Sequence, residues 1–150
     1  MKSKTKVKSN TDKAIKELEK ISTSMRGNPS VVVGLPKGSN DYPDGTSVIM
    51  VGLVHEFGSP VKNIPQRSFL RSTVLEKRND YKKMFTKLAK RIIDGSMNSK
   101  QALQTVGLQV ETDVKAKITD IKEPKLKSRE GNPLIDTGHL RQSITHEVKE

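Results

Sequence analysis

The apolar residues between positions 99 and 121 constrain the fold of this chain more than any other feature. They recur every three or four residues, which is the period of one face of an α-helix. Ser99 is a good helix N-cap residue, and Pro124 cannot continue a helix. The sequence therefore predicts an amphipathic helix near 99–121, whose buried face carries Leu103, Val106, Gly107, Val110, Val114, Ile118 and Ile121.

Two further stretches show helical periodicity. One apolar stripe predicts a helix near 11–26, capped at its start by Thr11 or Asp12. Apolar stripes on either side of a wholly polar segment predict one long helix, or two helices end to end, from about 67 to 94. Phe69 and Phe85 lie on these stripes, and we expect both in the core.

Two well-separated strands are indicated. Residues 31–35 form a short β-branched run that Pro36 ends, and 144–149 alternate between apolar and polar residues. Residues 47–57 are ambiguous, because their β-branched content favours a strand and their spacing permits a helix. The predicted fold class is α+β, with a small antiparallel sheet packed against two or three helices.

The composition predicts one folded domain with a thin core. Only 32% of the 150 residues are hydrophobic, and this length suits a single domain. We expect a disordered basic segment over 1–10 and one α+β domain over 11–150. Absence of cysteine excludes a disulfide framework, a thiolate metal site and a cysteine nucleophile.

A formal net charge of +11 suits nucleic acid, an acidic membrane surface or an acidic protein as partner. The first basic stretch is a candidate contact for DNA or for a partner protein, and it comprises Lys2, Lys4, Lys6 and Lys8. Residues 122–129 form a second. The plainer interpretation of both is a solvated tail and a solvated loop. No apolar run reaches the roughly 18 residues of a membrane span, and no apolar secretion signal follows the first lysines.

Two short patterns resemble catalytic motifs but lack the partners that the chemistry needs. His55-Glu56 matches the start of the zincin pattern, yet Ser59 stands where the second histidine ligand belongs. Asp136-Thr137-Gly138 matches the aspartic-protease triplet, but too few residues follow it for a protease core. We therefore expect no catalytic residue, no metal site and no cofactor.

Three blocks of sequence together resemble a known family. They are Val54-His55-Glu56-Phe57-Gly58, then Ile64-Pro65-Gln66-Arg67-Ser68-Phe69-Leu70-Arg71, and then residues 134–144, which read LIDTGHLRQSI. In this order they resemble the tailed-phage virion morphogenesis proteins of the neck, known as tail-completion or head–tail joining proteins. The match spans roughly residues 46–148.

This resemblance implies a small α+β subunit that forms a ring, usually a hexamer, at the head-proximal end of a phage tail. It also favours a helix for 47–57. The implied partners are copies of the chain, head–tail connector or adaptor proteins, a tail terminator or tail tube protein, and phage DNA in the channel. The implied location is the virion neck, after assembly in the host cytoplasm.

The residues that carry the resemblance are expected to stabilise the fold or the ring interface. They are His55, Glu56, Phe57, Gly58, Pro65, Arg67, Phe69, Leu70, Arg71, Asp136, Thr137, Gly138, Leu140, Arg141 and Ser143. Glu56 is the expected partner of Arg67 and Arg71, within the subunit or across the ring. Asp136 either pairs with Arg141 or caps a helix, and Phe57 and Phe69 are expected as core or anchor residues.

Three other functions remain as alternatives. The chain could be a tail terminator that stops tube growth, a basic protein that binds DNA without sequence specificity, or a dimeric aspartic-type protease. The tail-terminator alternative predicts a different length of the assembled tails from the joining role. The second predicts a steep salt dependence of DNA binding.

Overall fold

A computed structural model describes the backbone of residues 3–149 and the side chains of 11–23 and 25–149. Within these residues the chain forms six helices and two strands. In chain order they are α1 (Ser3–Ser24), β1 (Ser30–Gly34), α2 (Val48–Phe57), α3 (Leu70–Glu76), α4 (Arg78–Ile93), α5 (Ser99–Asp120), α6 (His139–Ser143) and β2 (Thr145–Lys149). The predicted α+β fold class is confirmed.

The predicted sheet consists of two antiparallel strands. Val31 pairs with Val148 and Val33 pairs with His146, so the last strand of the chain lies against the strand that follows α1. Helix α5 packs across both strands. Gly107 permits this close approach, because a Cβ there would lie 2.5 Å from the His146 ring.

The predicted helix near 99–121 is present as α5, and its N-cap differs by one residue. Asn98, not Ser99, accepts the backbone N–H of Gln101, and the Gln101 side chain accepts the N–H of Asn98 in return. This reciprocal capping box satisfies two backbone donors, whereas Ser99 at N-cap offers only one acceptor.

The apolar face of α5 organises two cores. The larger core lies toward its C-terminal end and contains Val48, Phe69, Val114, Ile118, Leu134, Leu140 and Ile144. The smaller core lies toward its N-terminal end, where Leu88 of α4 meets Ala102 and Val106. Phe69 is fully buried, as predicted, but Phe85 is 48% exposed, which corrects its expected place in the core.

The segment predicted as a helix over 67–94 is two helices end to end. The break lies at Lys77, and the first helix begins at Leu70 rather than near 67. Side-chain contacts to Asp113 of α5 hold this joint, since Lys77 Nζ and Tyr81 Oη donate to its carboxylate at 2.9 Å each. Burial, together with the Asp113 bond, raises the pKa of Tyr81.

The first helix begins earlier than the sequence predicts. Residues 1–10 were expected to be disordered, whereas the backbone of α1 is helical from Ser3. Lysine is a good helix former, and extending an existing helix is inexpensive. Lys2 and the side chains of Lys4, Lys6 and Lys8 lie outside the described residues.

Candidate functional site

The first two sequence blocks meet where α2 ends and α3 begins, at what we call the α2–α3 junction. Glu56, in the last turn of α2, is 3% exposed. One carboxylate oxygen accepts the backbone N–H groups of Phe69 and Leu70, at 2.8 and 2.9 Å. The other accepts the Ser68 hydroxyl at 2.7 Å and both the backbone N–H and Nε of Arg71, at 3.1 and 3.0 Å.

Glu56 therefore caps a helix to which it does not belong. The first N–H groups of a helix have no partner within it, and the N-cap residue Phe69 has no side-chain acceptor to offer. A negative charge at a helix N-terminus is also favoured by the helix dipole. Burial alone raises the pKa of Glu56, but the hydrogen bonds from Leu70, Ser68 and Arg71 outweigh it and lower the pKa.

Arg71 closes the junction on its solvent side. Its Nη2 donates to the backbone oxygen of Glu56 at 3.1 Å, and its guanidinium lies 4.4 Å from the centre of the Phe57 ring. The Gln66 side chain donates to the same backbone oxygen at 3.0 Å. The predicted pairing of Glu56 with Arg71 is thus present within one chain.

Within one chain, the predicted pairing of Glu56 with Arg67 is wrong. Arg67 is 4% exposed and turns away, donating from Nε to the Pro124 carbonyl at 2.8 Å and from Nη2 to the Lys125 carbonyl at 3.3 Å. The five donors already around Glu56 leave no place for a second guanidinium. Arg67 instead fixes the loop that leads to the third sequence block.

The turn between the two blocks depends on Gly58. Its φ of 77° is in the left-handed region, and a Cβ there would lie 3.0 Å from the backbone nitrogen of Gln66. The turn is closed by Ser59 and Ile64, which exchange backbone hydrogen bonds. Pro65 follows the turn, and the Arg67 N–H then donates to the His55 carbonyl, so the chain returns alongside the end of α2.

His55 lies beside Arg67 beneath this turn. Its carbonyl accepts the Arg67 backbone N–H at 2.7 Å. Burial, and then the positive charge of Arg67, lower the pKa of His55. Among the described residues, no group of three His, Asp or Glu side chains is placed to hold a metal ion.

The third block supplies core residues and a short helix that packs against α2. Leu140 and Ile144 are buried in the larger core. The predicted Asp136–Arg141 pair is wrong, since Arg141 donates to Thr119 Oγ1 at 3.2 Å and the exposed Asp136 lies 3.8 Å from Arg129 Nε.

Asp136 does not cap α6 either. Gly138, with φ of 81°, occupies the N-cap position, and Thr137 Oγ1 accepts the His139 N–H at 3.3 Å. Ser143 donates to the His139 carbonyl within the same helix. The block therefore acts through its turn and its buried side chains rather than through an Asp136–Arg141 ion pair.

One feature of this region was missed by the sequence analysis, namely the outer face of α2. Met50, Leu53 and Phe57 are 57%, 48% and 57% exposed, and their spacing puts them on one side of the helix. The opposite side, with Gly52 and Glu56, is buried. We call the three exposed residues the α2 apolar face. The i, i+3, i+7 spacing was readable in the sequence, but the ambiguity between helix and strand concealed it.

Comparison with protein-family models, with curated proteins and with solved structures finds no match for this chain. None of the helices among the described residues is long and apolar enough to cross a membrane.

Proposed function

We propose that this protein is a structural subunit of a tailed phage, which assembles as a ring at the neck and joins the completed tail to the head connector. The resemblance of the three sequence blocks supports this role. The observation that carries it is the α2 apolar face, presented on a helix that the α2–α3 junction holds in place.

The chemistry of the α2 apolar face suits a contact between proteins. Phenylalanine, methionine and arginine are enriched at protein interfaces, and here Arg71 stacks on Phe57 beside Met50 and Leu53. Exposed apolar patches on a small domain commonly mark such contacts. A head-to-tail contact that repeats with rotational symmetry closes a ring.

In this proposal the residues of the three blocks position surfaces and perform no reaction. The Glu56 carboxylate is saturated by donors, so it has no free lone pair directed at a substrate. Asp136 is exposed, whereas a catalytic aspartate pair shares its proton in a dry cleft. The proposed partners are copies of this chain, the head–tail connector or adaptor proteins, and a tail terminator or tail tube protein.

Electron microscopy of a lysate from the parent phage with this gene deleted tests the role. Full heads separated from tails of normal length are the expected result, and supplying the protein in trans restores joined virions. Tails of irregular and excessive length would instead assign the protein as a tail terminator. Infectious virions of ordinary shape would overturn the assembly role.

A further inference from the structure

The solvent-facing side of α4 is a strongly basic surface. The helix carries six cationic side chains and one acidic one, Asp80. All six cations are exposed, and they are Arg78, Lys82, Lys83, Lys87, Lys90 and Arg91.

Helix geometry gathers three of these cations into a row. At about 100° per residue, Lys83, Lys87 and Lys90 lie within roughly 60° of one another. They face away from Tyr81 and Leu88, which are buried. The row is roughly 10 Å long at 1.5 Å per residue. We call Lys83, Lys87 and Lys90 the α4 lysine row.

None of the ion pairs formed among the described residues includes a cation of α4. The neighbouring helix α5 behaves differently, because Lys115 pairs with Glu111 and Lys117 pairs with Glu76 of α3. Asp94, just past the end of α4, is bound to Ser96. Within the described part of the chain, the α4 lysine row therefore has no ion-pair partner.

Like charges three or four residues apart destabilise a helix. Lys83 and Lys87 stand in that relation, as do Lys87 and Lys90. A surface that serves solubility alone usually intersperses charges of both signs. Repulsion among the like charges of the row therefore destabilises α4 in the isolated chain, and binding of an external polyanion would reduce this repulsion.

The polar character of the row distinguishes between two kinds of polyanion, an acidic protein and a nucleic acid. Its nearest exposed neighbours on the same side of α4 are polar or charged, namely Asn79, Asp80, Thr86 and Arg91. Protein interfaces are depleted in lysine and enriched in aromatic residues. Contacts to a phosphate backbone need only closely spaced positive charge.

We propose that the α4 lysine row binds the phosphate backbone of nucleic acid, without reading its sequence. The row is about 10 Å long, a length of duplex that carries roughly six phosphates. This inference stands on charge and geometry alone and does not depend on the proposed ring.

Binding of the full chain to a fluorescent DNA duplex of about 25 base pairs, measured against salt concentration, tests the proposal. The triple variant Lys83→Gln, Lys87→Gln, Lys90→Gln is expected to bind at least tenfold more weakly at about 0.1 M salt. Since each phosphate contact contributes about 0.9 to the slope of log K against log salt, its slope falls by roughly 2–3. These side chains are exposed, so an unchanged thermal unfolding curve checks that the variant is folded.

A matched control removes the same charge elsewhere. The variant Lys122→Gln, Lys125→Gln, Lys127→Gln alters the second basic stretch and is expected to change affinity less than about threefold. Equal losses in both triple variants would overturn the assignment to α4. Competition by polyglutamate as effective as that by DNA would overturn the assignment to nucleic acid and make the row a site for an acidic protein.

Discussion

Replacing Glu56 with alanine removes the acceptor that holds α3 against α2. The variant leaves the backbone N–H groups of Phe69 and Leu70 without a partner in a buried position, and it leaves Arg71 without its carboxylate. An unsatisfied buried donor costs about 1–3 kcal/mol, so the two N–H groups together cost about 2–6 kcal/mol, whereas the Arg71 side chain is 52% exposed and water can solvate it. We expect Glu56→Ala to lower the free energy of unfolding by about 3–5 kcal/mol.

Glu56→Gln is the milder test of the same contact. The amide oxygen can still accept from Phe69 and Leu70, while the amide nitrogen faces the backbone N–H of Arg71, another donor. The expected loss is about 1–3 kcal/mol. Urea unfolding at neutral pH measures both values. The midpoint temperature of thermal unfolding is expected to be roughly 6–20 °C lower in Glu56→Ala than in the unmodified protein.

Glu76→Ala is the matched control. Glu76 also forms a carboxylate ion pair, with Lys117, but its side chain is 59% exposed. Exposed pairs contribute about 0–1 kcal/mol, so the control is expected to unfold almost as the unmodified protein does. A loss below about 1 kcal/mol for Glu56→Ala, equal to the control, would refute the reasoning that a remote carboxylate stabilises α3.

Three other predictions concern the same framework. Gly107→Ala is expected to lower the free energy of unfolding by about 1–2 kcal/mol, because the new Cβ would lie 2.5 Å from the His146 ring. This clash outweighs the better helix propensity of alanine. Thermal unfolding checks the prediction, and a stabilised variant would contradict it. Arg67→Lys is expected to cost about 1–3 kcal/mol in urea, since one ammonium cannot reproduce the two directed bonds to the carbonyls of 124–125. The lowered pKa of Glu56 means that its stabilisation is complete above about pH 4.3 and is lost as the pH falls through the folded-state pKa, so the stability difference between the unmodified protein and Glu56→Gln should shrink below about pH 4.3.

The parts of the fold that were predictable are those with one apolar face. Helix α5 buries a regular stripe, and β2 alternates inward and outward residues, so each shows its period in the sequence. Helix α2 shows no clear period, because Val48 is buried on one side while Met50 and Leu53 are apolar and exposed on the other. Only the resemblance favoured a helix there.

The wrong side-chain pairings, of Glu56 with Arg67 and of Asp136 with Arg141, have a different cause. The partners of Arg67 are backbone carbonyls, and most of those of Glu56 are backbone N–H groups. A sequence shows only which side chains carry opposite charges. Its charges therefore predicted pairs of Glu56 with Arg67 and Arg71, and of Asp136 with Arg141. Backbone groups become visible as partners only once the turn at Gly58 and the loop at 124–125 are in place.

The mass of the assembled protein in solution, measured by sedimentation, tests the central claim that the α2 apolar face joins subunits. The chain is 16.7 kDa, so a hexameric ring has a mass of about 100 kDa. Leu53→Asp is expected to reduce the assembly to single chains, whereas Leu108→Asp, at a leucine of α5 that is 58% exposed, is expected to leave it intact. A monomeric unmodified protein, or a ring that persists in Leu53→Asp, would contradict the account.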